Sequence, residues 1–170
     1  SLQVQAVLQQ EKLHYPFSEF TYAQILMGMM RWGEAEQILQ QVLTQKRTDK
    51  AMVAVARLPE LAELARLALW QGHSQQALIY VEEILDLVRT HPHISMPNLY
   101  FDAFAIDAAC YEVLHALADD RAQHVLESSN QRLCAQAEQI ADPTVRRSYL
   151  ENVAANRALH QAYIGSQQPS

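Results

Sequence analysis

Two imidazoles flank a proline in His91-Pro92-His93. Imidazole is the commonest metal ligand, but a zinc site needs a third and a fourth ligand held nearby. No carboxylate or thiol lies within that stretch, so it carries no metal centre. His115 and Asp119 stand four apart with His124 beyond, and the first two could share a helix face. A histidine favoured by the negative end of a solvated helix accounts for that spacing better. Glu82-Glu83 and Asp119-Asp120 are adjacent pairs, and adjacent side chains on a helix diverge by about 100°, whereas paired catalytic carboxylates must converge. Arg146-Arg147 diverge in the same way and make a poor phosphate clamp. His14, His73 and His160 have no acid, base or nucleophile beside them. Only Gly28 and Gly33 are close enough for a phosphate loop, and no Gly-Lys-Ser or Gly-Lys-Thr follows them. With no nucleophile, base and orienting group to assemble, the expectation is a chain that is not an enzyme and takes no cofactor or metal.

The elements around these residues are helices. Of 170 residues, 49% are apolar, 19% are charged and only four are glycine, too few for a fold that turns often, and enough apolar material for one buried core. The net charge of −6 lacks the basic excess that nucleic-acid binding needs. Charged or amide residues interrupt every apolar run short of the roughly 18 residues a membrane span requires, including the richest run, residues 58 to 70. Cys110 and Cys134 fall in apolar helical stretches and make no disulfide framework. A reducing cytoplasmic setting fits. The first residue is Ser, and residues 2 to 13 already read as helix, so the sequence suggests a piece of a longer protein.

Apolar spacing predicts a helix over residues 2 to 13, ending before Tyr15-Pro16. A second follows from an N-cap at Ser18 through Met30, stopping near Trp32-Gly33, and a third covers residues 34 to 45, where Ala35, Ile38, Leu39, Val42 and Leu43 form one apolar stripe. Residues 49 to 70 follow, with Pro59 opening or kinking the helix, then residues 74 to 88 after Gly72. Residues 91 to 98 hold two prolines and read as the longest loop. Helices over 99 to 117 and 121 to 140 come next. Asp142-Pro143 is a helix start, with Asp as cap and Pro at the first helical position. Residues 145 to 153 and 156 to 163 close the chain, and residues 165 to 170 are expected to fray. Three helical hairpins result. Taking Ala35, Ala77 and Ala122 as the small residues at their crossings gives spacings of 42 and 45.

The second hairpin, Leu61-x2-Leu64-Ala65-x2-Ala68-x3-Gly72-x4-Ala77-x3-Val81-x2-Ile84-Leu85, is similar position by position to the tetratricopeptide repeat, whose standard unit is about 34 residues. The others fit less closely: Met30 and Ala118 stand where the turn glycine belongs. The extra residues fall in 46 to 57 and 91 to 98. From residue 77 onward the chain, above all Ala141-Asp-Pro-Thr-Val-Arg-Arg-Ser-Tyr-Leu-Glu-Asn-Val-Ala-Ala-Asn-Arg, resembles the C-terminal tetratricopeptide region of large multidomain bacterial signalling ATPases and transcriptional regulators. Ala154 stands where that family typically has proline.

The resemblance implies an all-α, right-handed superhelix of about three hairpins with C-terminal capping helices. Residues 1 to 14 would belong to a preceding repeat, 15 to 164 to the repeat domain, and 165 to 170 to a disordered tail. It also implies a concave face lined by first helices, which places Gln24, Arg66 and Trp70 at a groove for a protein, a peptide or a neighbouring domain. Arginine and tryptophan dominate interface energetics, though packing is the stronger reading for Trp32 and Trp70, which by sequence share a position at the end of a first helix. Met27, Met29, Met30 and Met52 suit either an adaptable surface or the core, and core is favoured. The implied role is a non-catalytic interaction module. The alternative is an inducer sensor closing on a small molecule in a cavity of about 300–1,000 Å³. Homodimerisation through an outer helix face is compatible with both.

Overall fold

In a computed structural model of the chain, the described residues are 16–49, 54–91 and 102–167. Every regular element among them is helical. The expected helix over residues 2 to 13, the His93 and Met52 positions and most of the loop over 91 to 98 lie outside the described residues. The chain divides into two compact units, Ser1–Met52 and Val53–Ser170.

Among the described residues the first unit holds an antiparallel hairpin, α1 (Pro16–Gly28) and α2 (Trp32–Thr48). Ala23, Leu26 and Met27 of α1 and Ala35, Leu39, Val42 and Leu43 of α2 are its buried residues. Two readings need correction. The methionines do not act together: Met27 is core, while Met29 and Met30 are exposed, because α1 stops at Gly28 and both residues fall in the turn. Trp32 does not match Trp70 in position, since Trp32 opens a second helix and Trp70 closes a first one. Helix α1 spans Pro16–Gly28, so Ser18 lies inside it and not at the expected cap position.

In the second unit a 3-10 turn (Ala54–Arg57) leads into α3 (Leu58–Trp70), with Pro59 in its first turn. Proline there opens the helix at no cost in hydrogen bonds, since the first N–H groups lack intrahelical partners. Then come α4 (Ser74–Thr90), α5 (Ala103–Ala116), α6 (Arg121–Glu138), α7 (Pro143–Glu151) and α8 (Ala154–Ser166). Asp102 caps α5, its Oδ1 accepting from the N–H groups of Phe104 and Ala105 at 2.9 and 3.3 Å. Asp142 caps α7 as the Asp-Pro pair predicts, accepting from Thr144 and Val145. Helix α8 starts two residues before the expected position and carries through Gly165 and Ser166, where fraying was expected.

The three hairpin turns share one geometry. Met30, Gly72 and Ala118 have φ of 58°, 80° and 52°, the positive values of the left-handed region. Each donates its N–H three residues back, to Met27, Leu69 and His115, and the following residue donates five back: Arg31 to Leu26 at 2.9 Å, His73 to Ala68 at 2.7 Å and Asp119 to Leu114 at 2.9 Å. This is the Schellman ending, which satisfies the carbonyls a helix terminus leaves open. The crossing residues Ala35 and Ala77 follow at equal distance, and Ala122 comes one residue sooner because Ala122 N–H reaches Asp119 directly. All three are buried. The repeat found in the sequence is therefore a repeat of one turn.

Only Gly72 makes that turn without a side-chain penalty. No atom lies within 4 Å of where its Cβ would be, so Gly72→Ala is expected to cost about 1 kcal/mol through backbone conformation alone. Ala118→Gly should gain up to about 1 kcal/mol for the same reason. Urea denaturation of both variants checks the pair; equal shifts of the same sign would refute the shared geometry.

Packing in the second unit follows one rule. Helix α5 packs against both α3 and α4, and α8 in turn packs against both α5 and α6, so α8 stands to the third hairpin as α5 stands to the second. Leu64, Ala65, Val81 and Ile84 are buried at the second hairpin. Phe104, Leu126, Leu133 and Leu159 form a cluster where the third hairpin meets α8, with Ala108, Tyr111, Tyr149, Ala155 and Tyr163 packed around it. Arg132 stands 5.8 Å over the Phe104 ring and its Nη2 donates to Asp107.

Candidate functional site

Helix α3 carries Arg66 and Trp70 one turn apart, so both side chains leave the same face. The guanidinium Cζ lies 5.3 Å from the Trp70 ring centroid, a cation–π contact. Both side chains converge on Glu112 of α5. Arg66 Nε donates to Glu112 Oε2 at 3.1 Å, and Trp70 Nε1 donates to Glu112 Oε1 at 2.9 Å. A second carboxylate, Glu63, stands one turn before Arg66, its Oε2 3.8 Å from Arg66 Nη1. Trp70 is 39% exposed, and the side chains of Arg66 and Glu112 are 33% and 36% exposed. These groups are fixed by one another yet open to solvent. The arrangement presents an indole edge, a guanidinium and the Glu112 carboxylate, Glu63 being buried, which suits recognition by contact and charge.

Arg66 and Trp70 were singled out in the sequence; Glu112 was not. Counting back from each left-handed turn residue shows what could have found it. Gln24, Arg66 and Glu112 all stand six residues before the turn residue of their own hairpin, Met30, Gly72 and Ala118. Neighbouring first helices with the same turn register bring equivalent positions together, which is why Arg66 meets Glu112. Gln24 is exposed on α1 in the other unit.

The remaining chemistry-bearing residues serve the fold. Glu82 pairs with Arg121 at 2.7 Å, while Glu83 lies 3.5 Å from Arg57, so the adjacent acids diverge as expected. His115 stacks on Tyr111 with centroids 5.3 Å apart. His91 Nδ1 lies 3.0 Å from both Thr90 Oγ1 and the Leu87 carbonyl. Among the described residues no three His, Cys, Asp or Glu side chains gather as a metal site, and no helix is long and apolar enough to cross a membrane. Arg146 donates from Nε and Nη2 to the Ile140 carbonyl at 3.0 and 2.8 Å, closing the turn before α7, and Arg147 is exposed. Cys110 is buried and its thiol is pushed well above the usual range, first by burial and then by the Asp107 charge. Cys134 is also a free thiol.

Asp119 combines several bonds. Its carboxylate accepts from Arg121 Nε, Nη2 and backbone N–H at 2.7–2.9 Å, and the Arg121 side chain and backbone bonds hold its pKa down from 3.8 to about 2. A depressed carboxylate contributes stability above its unfolded pKa and loses it as pH falls through the folded one. The expected window is therefore pH 4 down to about 2. In acid titrations followed by circular dichroism, wild type should lose stability more steeply across that window than Asp119→Asn. Identical slopes would contradict the assignment.

No protein-family model matches this chain, and no curated protein and no solved structure matches it.

Proposed function

We propose that this chain is a non-catalytic peptide-docking module of tetratricopeptide type, a regulatory scaffold whose first helices line a shallow right-handed groove. In this reading it is the C-terminal part of a larger bacterial regulator, and occupancy of the groove biases a switch elsewhere in that protein. The observation that carries the proposal is the Arg66–Trp70–Glu112 cluster, in which two neighbouring helices hold a cation, a ring and a carboxylate together. A position kept at constant distance from a repeated turn, filled by different polar residues and partly open at Arg66 and Glu112, is what a reading surface needs. Arg66 and Trp70 supply the residue types that dominate binding energy, already ordered by Glu112, so little side-chain entropy remains to be lost on docking.

The test is selection of peptides from a displayed random library on the whole chain, followed by affinity measurement on Trp70→Ala. Removal of the ring is expected to weaken the selected peptides at least tenfold while the helical circular dichroism is unchanged. Peptides that bind wild type and variant alike would remove the groove from the reading.

A further inference from the structure

The whole charge excess lies in one half of the chain. Residues 1 to 53 carry five basic and five acidic side chains, whereas residues 54 to 170 carry no lysine, eight arginines and fourteen acids. Most of those arginines are already engaged inside the fold: Arg57 with Glu83, Arg89 with Asp86, Arg121 with Glu82 and Asp119, Arg132 with Asp107, and Arg146 with a carbonyl. A partner approaching the second unit therefore meets a negative field, which speeds the encounter of cations and repels anions.

At the Trp70 site the exposed carboxylate is that of Glu112, paired with the guanidinium of Arg66, while Glu63 is buried. Arg66 also shows which chemistry the site accepts. Its guanidinium lies 5.3 Å from the indole centroid and bonds Glu112 through Nε, leaning towards Glu63 with Nη1. The two oxygens of a carboxylate offer about four acceptor positions, and Glu112 uses two, for Arg66 Nε and Trp70 Nε1. Its side chain is 36% exposed, so a further donor can reach it without displacing Arg66. An incoming carboxylate at the same place would instead face the Glu112 charge and the negative field of the unit.

Resting on the docking reading above, we propose that the segment bound at this site is basic, an extended peptide that sets an arginine or lysine against Glu112 and the exposed part of the Trp70 ring. Aromatic and carboxylate groups together hold a cation better than either alone, because stacking and ion pairing act on different faces of a guanidinium.

The experiment titrates the whole chain with a dye-labelled octa-arginine peptide and, in parallel, an octa-glutamate peptide, following fluorescence anisotropy at several salt concentrations. Octa-arginine is expected to bind at least tenfold more tightly than octa-glutamate. Glu112→Gln and Trp70→Ala should each weaken it about fivefold or more, and Glu112→Gln should flatten the salt dependence. Glu151→Gln, which removes an exposed carboxylate on α7, should leave it unchanged. Equal octa-arginine affinity in wild type, Glu112→Gln and Glu151→Gln would show diffuse attraction and overturn the proposal. Octa-glutamate binding that depends on Trp70 would overturn it while keeping the docking reading. If neither peptide binds, the basic partner is excluded, and the docking reading then stands or falls on the library selection.

Discussion

Leu159→Ala is expected to lower the stability of the second unit by about 3 kcal/mol. Leu159 is fully buried and is the residue by which α8 enters the Phe104, Leu126 and Leu133 cluster. Truncating a buried leucine loses the transfer free energy of its methyl groups and leaves a cavity, together costing about 2–5 kcal/mol. Side chains from α5, α6 and α8 wall the cluster, so collapse onto the gap requires helices to shift. Two polar contacts of α8 sit nearby: His160 Nδ1 lies 3.0 Å from Asn130 Oδ1 of α6, and Asn156 Nδ2 donates to the Tyr149 carbonyl at 2.9 Å. These are too few to hold α8 once the anchor is lost. Hydrogen exchange should therefore show α7 and α8 opening well below the global unfolding free energy in the variant, with α3 and α4 still protected. Uniform loss of protection across all the helices would mean that α8 unfolds only with the rest, against a capping role.

Arg66→Glu is expected to lower stability by about 1 kcal/mol and to tighten octa-arginine binding about fivefold or more. It sets a third carboxylate beside Glu63 and Glu112 and removes the cation over Trp70. The stability effect stays small because the pair is partly exposed and screened by water. Combining it with Glu112→Arg restores opposite charges at the same two places and should recover most of the lost stability. Octa-arginine binding should fall below that of wild type, because a guanidinium then stands in place of the Glu112 carboxylate and has no acceptor for the indole N–H or for an incoming cation. A double-mutant cycle on thermal stability and peptide affinity separates the two effects. If the double variant binds as well as wild type, the carboxylate that holds Trp70 is irrelevant to docking.

Much of the architecture was legible in the chain because it depends on local rules. Scarce glycine and 3.6-residue apolar spacing specify helices, Asp142-Pro143 specifies a helix start, and small residues at Ala35, Ala77 and Ala122 specify close crossings. Met30 and Ala118 were found at the turn by counting, and both adopt the left-handed backbone that Gly72 adopts freely. Helix ends were less legible. Ser18 resembles a cap and Trp32 resembles a helix end, but a Schellman ending is decided by which carbonyl the chain reverses onto, and any apolar residue near the turn fits the same periodicity. The methionines divided for the same reason, since one residue of shift at a helix end separates core from solvent.

By itself the sequence determined that this protein is helical and that its acidic excess lies beyond residue 53. Those properties follow from composition and short-range spacing. Only the tertiary structure decided that the chain forms two units and that α8 packs on the third hairpin as α5 packs on the second. It also decided that Glu112, 42 positions from Trp70 in sequence, holds the Arg66–Trp70 pair. Such a pairing depends on how adjacent first helices register against each other, and that register is set by side chains packing across hairpins, which no local pattern along the chain records.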